Sequence, residues 1–182
     1  MWLYLKQKTD FLERKQDVLH IAPELCFIKR FEAIHADQYI TADLESPLAK
    51  VKMDIHQMPF DDNSFDVVFC NHVMEHVADD HQAMGEILRV LKPGGWAIIQ
   101  IPLFHPLPEK TFEDDSVVDP KQREKIFGQD DHVRLYGLDY ADRLRKAGFE
   151  VTVDDFIHSL SEDDQVRFAL PADEPIFFCK KN

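Results

Sequence analysis

The chain has 182 residues, of which 45% are hydrophobic and 30% are charged, and its formal net charge is −13 at pH 7. This length and composition suit one globular domain with a buried core. The negative charge argues against nucleic acid or an anionic membrane as a partner, because neither attracts an acidic surface.

The cysteines and the N-terminal residues favour a cytoplasmic protein. Cys26, Cys70 and Cys179 lie far apart and form neither a zinc-binding nor a CxxC spacing. The first sixteen residues carry both charge signs and no long apolar core, so we predict no signal peptide. No apolar run is long enough to span a bilayer. The sequence leaves the oligomeric state open.

The first part of the chain alternates predicted helices and strands. Residues 1–16 have the spacing of a short amphipathic helix, and residues 23–35 that of a second helix, whose first turn suits Pro23. Apolar runs predict strands at residues 17–22, 38–42 and 51–56. Strands that alternate with helices in this way indicate a parallel sheet.

The stretch from Pro59 to Pro102 is the most informative part of the sequence. It predicts, in order, a buried strand (Phe65 to Cys70), an amphipathic helix (residues 77–91), a stop at Pro93-Gly94-Gly95 and a second buried strand (Trp96 to Ile101). A unit of this length forms a right-handed crossover. Asn71 and His72 follow the first of these strands, at the edge where open α/β sheets bind ligands.

The second part of the chain is less regular. Residues 103–133 are long, weakly periodic and rich in proline and charge, which is typical of a lid or binding loop; a disordered surface insertion is the alternative. A helix over residues 138–147 and strands over 149–157 and 175–180 bring the total to about seven strands. Periodicity alone therefore predicts a doubly wound α/β sheet. With the chain length and the long irregular segment, we expect a single domain, residues 1–182, with a substrate-side insertion at 103–133.

Two motifs carry a resemblance to a known family. Residues 59–76, PFDDNSFDVVFCNHVMEH, and residues 86–95, EILRVLKPGG, resemble in order and spacing the fourth strand, following helix and fifth strand of class I S-adenosylmethionine-dependent methyltransferases of the type 11 branch. The resemblance covers about Val18 to Lys180. It implies a Rossmann-like sheet of seven strands, the last one antiparallel, flanked by helices. It also implies methyl transfer from S-adenosylmethionine to a small-molecule acceptor, with S-adenosylhomocysteine as product; the sequence does not identify the acceptor.

Carboxylates at strand ends are the main candidates for cofactor contact. Asp43 ends the second strand, where a carboxylate can accept both ribose hydroxyls, and in the resembling family this position binds the cofactor ribose. Asp54 follows the third strand, where the family contacts adenine, and the backbone N–H of Ile55 can donate to a ring nitrogen. For each carboxylate, a solvated strand-end aspartate is the alternative. The other expected contacts in this region are Leu44, Asn71 and His72.

The first turn departs from the family pattern, which has an acidic residue in the first strand and a glycine-rich turn after it. Here His20 occupies the acidic position, Ala22 and Glu24 occupy glycine positions, and no glycine lies near the turn. In one interpretation, Ala22-Pro23 makes a different rigid turn and Glu24 meets the methionine ammonium, so that all four residues belong to the cofactor site. In the other, the turn has lost the cofactor and the domain is a non-catalytic binding module.

Several histidines and the segment before the late helix are candidates for contact with the acceptor. The protein mainly aligns donor and acceptor in methyl transfer, and a histidine can take a proton from an oxygen or nitrogen acceptor. We expect His72 and His132 to be the catalytic candidates, with His105 as a further possible base. The expected acceptor-binding residues are His105, His132, Arg134 and Tyr136; a local salt-bridge cluster of Asp130, Asp131 and Arg134 is the alternative.

Two further enzyme classes match isolated features. His72, Glu75 and His76 fit the H-x-x-E-H pattern of inverted zinc proteases, but that pattern needs a helix that carries both histidines, and we predict no metal site. An acid about twenty residues after the first turn is typical of NAD-dependent oxidoreductases. The missing G-x-G-x-x-G argues against them, because a pyrophosphate needs the backbone N–H groups of that loop.

Overall fold

The computed structural model of the chain describes residues 1–171 and 173–182. The helices are α1 (Trp2–Lys8), α2 (Leu25–His35), α3 (Asp80–Val90), α4 (Pro120–Phe127), α5 (Tyr140–Lys146) and α6 (Glu162–Arg167). The strands are β1 (Val18–Ile21), β2 (Tyr39–Asp43), β3 (Val51–Lys52), β4 (Phe65–Asn71), β5 (Leu91–Gln100), β6 (Phe112–Glu113), β7 (Arg134–Leu135), β8 (Glu150–Asp154) and β9 (Ile176–Lys180). Short 3₁₀ helices lie at Ala36–Gln38 and Phe156–Ser159.

Seven of the nine strands of the described residues form one sheet in the order β3-β2-β1-β4-β5-β9-β8, and β6 and β7 form a separate pair. The strands from β3 to β5 are parallel, and β9 lies antiparallel between β5 and β8. This arrangement confirms the expected Rossmann-like sheet with an antiparallel last strand. In the described ranges, no helix is both long and apolar enough to cross a membrane.

Side chains of β4 alternate between two hydrophobic cores. Val68 and Cys70 face the core that also contains residues of α3 and α5, whereas Val67 and Phe69 face the core built with α1 and α2. All four are fully buried. This is the pattern of a central parallel strand that is covered on both faces, and it explains why the sequence of β4 is a nearly continuous apolar run.

Phe69 lies at the centre of an aromatic cluster on the α1–α2 face. Its ring centroid is 5.1 Å from that of Phe11, 5.4 Å from that of Phe31 and 5.8 Å from that of Trp96. Edge-to-face and offset contacts at these distances stabilise a core beyond the burial of area alone. The cluster joins α2 and the N-terminal segment to the middle of the sheet.

Several element boundaries differ from the sequence-based prediction. Helix α1 ends at Lys8, well before residue 16, because Thr9 has an extended conformation. Strand β3 has two residues in place of the predicted six. Helix α3 begins at Asp80 because the side chain of Asp79 accepts from the N–H of Gln82 and caps it. Residues 72–76 therefore precede the helix, so the H-x-x-E-H pattern lacks the helix that a zinc protease requires.

The predicted stop at residues 93–95 is an irregular part of β5. The pairing with β4 shifts between Phe65–Leu91 and Val67–Trp96, so the strand begins before the residues that were expected to end a helix. A Cβ atom at Gly95 would lie 2.9 Å from the carbonyl oxygens of Asp66 and Lys92. Glycine is therefore required here by close backbone packing inside a sheet.

Residues 103–133 are folded, which argues against the disordered alternative. Helix α4 is capped by the Asp119 side chain and ends at Gly128, whose φ of +93° is left-handed. Strand β6 pairs antiparallel with β7, with Phe112 opposite Leu135. The segment is thus an ordered insertion beside the sheet.

Phe69→Ala should lower the free energy of unfolding by about 3–5 kcal/mol, because its neighbours would only partly fill the cavity left by a fully buried ring. Denaturant unfolding followed by circular dichroism measures this change. Val166→Ala is the matched control, since Val166 is 81% exposed and should change stability by less than about 0.5 kcal/mol. Equal losses in the two variants would contradict the placement of Phe69 in the core.

Candidate functional site

Two cavities flank the turn after β1 at the carboxyl edge of the sheet. The smaller one has a volume of about 250 Å³, and its lining includes Ala22, Asp43, Leu44, Asp54, Ile55 and His76. The larger one has a volume of about 430 Å³, and its lining includes Trp2, Glu24, Phe27, Asn71, His72 and Gln100. The carboxyl ends of parallel strands are where this class of sheet binds ligands.

Two carboxylates line the smaller cavity. Oδ1 of Asp43 accepts from the backbone N–H of Glu45 at 2.8 Å and of Ser46 at 2.7 Å, which fixes the turn after β2. Oδ1 of Asp54 accepts from the N–H of His56 at 2.9 Å and lies 2.7 Å from its Nδ1. These bonds from His56 hold the pKa of Asp54 below its usual value, so this carboxylate is charged at neutral pH.

The turn after β1 is made without glycine. Ala22 has a φ of +49°, in the left-handed region, which costs a residue other than glycine about 1–2 kcal/mol. Its N–H donates to the carbonyl of Ala42 at 2.9 Å, which ties the turn to β2. Pro23 is buried and α2 begins two residues later. The geometry supports the interpretation of a different rigid turn, in which Pro23 shapes the chain without lining either cavity in the described residues.

Glu24 is held between β1 and β4. Its Oε2 hydrogen-bonds with Nε2 of His20, and its Oε1 accepts from Nδ2 of Asn71 at 2.9 Å. Burial alone would raise the pKa of Glu24, but the bonds from His20 and Asn71 outweigh it and lower the pKa. The carboxylate therefore stays charged at the edge of the larger cavity.

His20 acts on Glu24 from inside the core. Its side chain is fully buried, and its Nδ1 lies 2.7 Å from the hydroxyl of Tyr39. Because His20 reaches neither cavity, its expected direct contact with the cofactor is corrected to a positioning role for Glu24.

His72 is the catalytic candidate that lies beside the larger cavity. It follows β4 with a φ of +55°, and its side chain is 52% exposed. Its Nδ1 lies 3.8 Å from Oε1 of Glu75, so a carboxylate stands behind the imidazole. The exposed edge of the imidazole ring can therefore contact a molecule bound in the larger cavity.

Gln100 is a buried polar residue of the larger cavity that the sequence analysis missed. Its Oε1 accepts from the N–H of Phe177 at 2.7 Å, and its Nε2 donates to the carbonyl of Pro175 at 2.9 Å. These bonds join the end of β5 to the start of β9. A polar residue at the carboxyl end of an otherwise apolar strand is the signal that could have identified it.

The remaining lining of the larger cavity is mainly apolar. It includes Trp2, Phe27, Phe156, Ile157 and Leu170, and Glu174 adds a second carboxyl group beside that of Glu24. In the part of the chain that the structure describes, no residue of 103–133 lines this cavity. The insertion therefore does not occupy the acceptor-selecting position that the sequence suggested.

Arg134 serves the fold. It is 3% exposed, its Nη1 donates to the carbonyls of Met74 and Val77, and its Nε pairs with Glu113 at 2.9 Å. These contacts fix the segment between β4 and α3 and leave no surface toward either cavity. The expected acceptor contact of Arg134 is therefore corrected, and so is the alternative pairing with Asp130 and Asp131, since its carboxylate partner is Glu113.

Tyr136 belongs to the same buried network. Its hydroxyl donates to Oδ2 of Asp80 at 2.9 Å, and Arg143 binds both carboxylate oxygens of Asp80, at 2.7 and 2.9 Å. Burial alone would raise the pKa of Asp80, but Arg143 and Tyr136 hold it below its usual value. The network leaves Tyr136 turned away from both cavities, so its expected acceptor contact is corrected as well.

The two other candidate histidines lie away from the cavities. His132 is buried, with its Nδ1 3.0 Å from the carbonyl of Phe127 and its ring against His76. His105 is exposed on the insertion. Neither lines a cavity in the described residues, so their expected roles in catalysis and acceptor binding do not fit this geometry.

Comparison of the sequence with known proteins gives consistent results. A family profile described as a methyltransferase domain matches residues 18–99. The sterol 24-C-methyltransferase of Kluyveromyces lactis is 30% identical over 138 residues, which are 75% of this chain and 36% of that protein. A ubiquinone/menaquinone biosynthesis C-methyltransferase of Idiomarina loihiensis is 45% identical over 49 residues, 27% of this chain and 20% of that protein. The chain thus spans well under half the length of these relatives.

Solved structures share the fold over almost the whole chain. An S-adenosylmethionine-dependent methyltransferase from Mesorhizobium loti superposes with a TM-score of 0.64 at 15% identity, covering 98% of this chain and 94% of that one. The phosphoethanolamine N-methyltransferase 2 of Haemonchus contortus, solved with S-adenosyl-L-methionine, gives 0.56 at 19% identity, covering 93% and 49%. At these low sequence identities, the structural similarity shows a shared fold.

Asp80→Asn should destabilise the fold by about 3 kcal/mol at neutral pH, because it removes the bidentate partner of Arg143 from a buried site. Since the folded pKa of Asp80 lies below the ordinary value of 3.8, its stabilisation is complete above that pH and is lost as the pH falls through the folded pKa. Urea unfolding should show a constant gap between wild type and variant at higher pH, and a narrowing gap below about pH 4. A pH-independent gap would contradict the ion pair, and exposed Asp115→Asn is the control.

Proposed function

Since the chain belongs to the class I S-adenosylmethionine-dependent methyltransferases, we propose that it transfers a methyl group from S-adenosylmethionine to a small-molecule acceptor. S-adenosylmethionine is the cofactor of this family, and S-adenosylhomocysteine is its product. The observation that carries the proposal is the shared edge of the sheet at which Asp43, Asp54 and Glu24 line two cavities that flank one turn.

The smaller cavity is the proposed site of the cofactor's adenosine part. Asp43 uses Oδ1 within the protein, and its second oxygen is available to accept from ribose hydroxyls. Asp54 is charged and can accept from the exocyclic amine of adenine, while the N–H of Ile55 can donate to a ring nitrogen. Leu44 and Val77 supply apolar surface on either side. The residues present therefore suit a nucleoside.

The edge of the larger cavity is the proposed site of the amino-acid part. Glu24 carries a negative charge that is fixed by His20 and Asn71, and it can attract the methionine ammonium. The first N–H groups of α2 follow Glu24 and can face the methionine carboxylate. A pyrophosphate would be repelled by Glu24, which separates this site from that of an NAD-dependent oxidoreductase.

When bound, S-adenosylmethionine supplies a methyl group on a sulfonium, which is a good leaving group. The protein's part is then to align the acceptor atom with that methyl group and to exclude water. His72 lines the larger cavity together with Glu24. Its imidazole can take the proton of an oxygen or nitrogen acceptor, with Glu75 behind Nδ1.

The larger cavity favours an acceptor with a substantial apolar part. Trp2, Phe27, Phe156 and Ile157 form much of its wall, and apolar walls with a few polar groups are typical of small-molecule sites. A sterol 24-C-methyltransferase and a ubiquinone/menaquinone biosynthesis C-methyltransferase are among the relatives by name, which agrees with an acceptor that has an apolar part. The proposed reaction thus places one reactive group of an apolar molecule beside His72.

A second candidate function is a non-catalytic binding module that has lost the cofactor. The glycine-free turn and the engagement of both Glu24 oxygens inside the protein favour it. Assays of S-adenosylhomocysteine release against a panel of apolar alcohols, phenols and amines separate the two functions. Absence of S-adenosylmethionine binding, together with no release in any assay, would favour the module.

Isothermal titration of the full chain with S-adenosylmethionine should detect binding at one site. Asp43→Asn should weaken it at least tenfold, because a neutral amide binds ribose hydroxyls less strongly than a carboxylate. Asp37→Asn is the matched control, since Asp37 is exposed at the opposite edge of the sheet, and its affinity should match that of wild type. No heat at millimolar cofactor, or equal affinities in all three proteins, would contradict the proposed site.

Glu24→Gln should weaken S-adenosylmethionine binding by about tenfold or more, because it removes the charge that faces the ammonium. 5′-Methylthioadenosine lacks the amino-acid part, so its affinity should change little in the same variant. Isothermal titration measures the loss of affinity for each ligand in Glu24→Gln. A larger loss for S-adenosylmethionine than for 5′-methylthioadenosine would show that the amino-acid part binds beside Glu24. Equal losses for both ligands would place Glu24 in a general structural role.

A further inference from the structure

Glu75, His76 and His132 form a cluster that adjoins the proposed cofactor site, since His76 also lines the smaller cavity. One potential ligand atom of each residue lies within 4.8 Å of those of the other two. Glu75 and His76 belong to the segment between β4 and α3, and His132 belongs to the folded insertion just before β7. The cluster therefore joins two segments that are distant in sequence.

Both histidines have a hydrogen-bond partner on the ring nitrogen that points away from the cluster. Nδ1 of His132 lies 3.0 Å from the carbonyl of Phe127, and a carbonyl can only accept, so Nδ1 carries the proton. Nδ1 of His76 lies 3.2 Å from a carboxylate oxygen of Asp131. Each Nε2 is thus left with a lone pair. Histidines that bind metal ions are oriented by this kind of outer partner.

Glu75 adds a buried carboxyl group to the cluster. Its side chain is 2% exposed, and Oε2 has no hydrogen-bond partner among the described residues. Its Oε1 lies 3.9 Å from Nε2 of His76. A buried carboxylate oxygen without a partner is costly, and a bound cation would satisfy it.

The charges around the cluster also favour a cation. Burial raises the pKa of Glu75 to about 7, and a cation beside it would favour its charged form. Asp131 is a further acid nearby, whereas the guanidinium of Arg134 is engaged by Glu113 and by backbone carbonyls. The two imidazoles are neutral when they act as ligands. Two imidazole nitrogens and one carboxylate form a donor set that suits zinc and related divalent transition metals.

We propose that Glu75, His76 and His132 bind a divalent transition-metal ion, with zinc as the favoured ion. Metal–ligand distances of about 2.0–2.2 Å require the three ligand atoms to move closer by roughly 1 Å, which side-chain rotation can supply. His72, whose Nδ1 is 3.8 Å from Oε1 of Glu75, lies near the open side of the cluster. The ion ties the insertion to a segment that lines the smaller cavity.

The test is zinc binding to the full chain after treatment with a chelator, measured by competition with a chromophoric chelator. Wild type should bind one equivalent of zinc. Glu75→Gln and His132→Asn should each weaken that affinity at least tenfold, by loss of one ligand. The asparagine amide can still donate to the Phe127 carbonyl, so His132→Asn keeps the outer hydrogen bond. His158→Asn is the matched control on an exposed histidine and should bind as wild type does.

Thermal unfolding gives a readout that is independent of stoichiometry. At a zinc concentration about 100-fold above the dissociation constant, the melting temperature of wild type should rise by roughly 5–10 °C, and that of the two ligand variants should not. Cobalt in place of zinc should give ligand-field absorption bands that both variants lose. Absence of zinc binding by wild type, or equal binding by wild type and both variants, would overturn the proposal. A loss in His158→Asn equal to that in the ligand variants would also overturn it.

Discussion

The proposed cofactor site depends on a carboxylate that is fixed from the core. His20 is fully buried in β1, and it holds Glu24 at the turn while Asn71 holds the same carboxylate from β4. The family pattern that the sequence resembles has an acid in the first strand and a glycine-rich turn at this place. Here the acid lies four residues later, and Ala22 makes the left-handed turn. The result is an edge with a fixed negative charge, which suits a cationic ligand and repels a pyrophosphate.

The segment between β4 and α3 forms a wall of both cavities, and a buried polar network holds it there. Arg134 binds its carbonyls, and Tyr136 and Arg143 bind Asp80 at the start of α3. Buried charges of this kind are stable only when each has partners. Arg134 and Tyr136, which the sequence suggested as acceptor-binding residues, therefore support the site indirectly by holding this segment in place.

The sequence predicts the sheet well because its signals are local. Each signal depends only on residues that are close in sequence. Examples are the apolar run of β4, the amphipathic spacing of α3 and the acids at the ends of the early strands. The roles of Arg134 and Tyr136 depend on which carbonyls and acids the folded chain places beside them, and alternation along an extended segment does not contain that information. For the same reason, the lining from residues 156–171 was missed. His20 was placed correctly in its strand, but its direction into the core follows only from its contacts with Tyr39 and Glu24.

A crystal structure of the full chain grown with saturating S-adenosylhomocysteine tests the central claim most directly. The account predicts the adenosine in the smaller cavity, with its ribose against Asp43 and its adenine near Asp54 and Ile55. It also predicts the amino group of the ligand within hydrogen-bonding distance of Glu24. Ligand density at another place, or the same density with Glu24 turned away from the amino group, would contradict it.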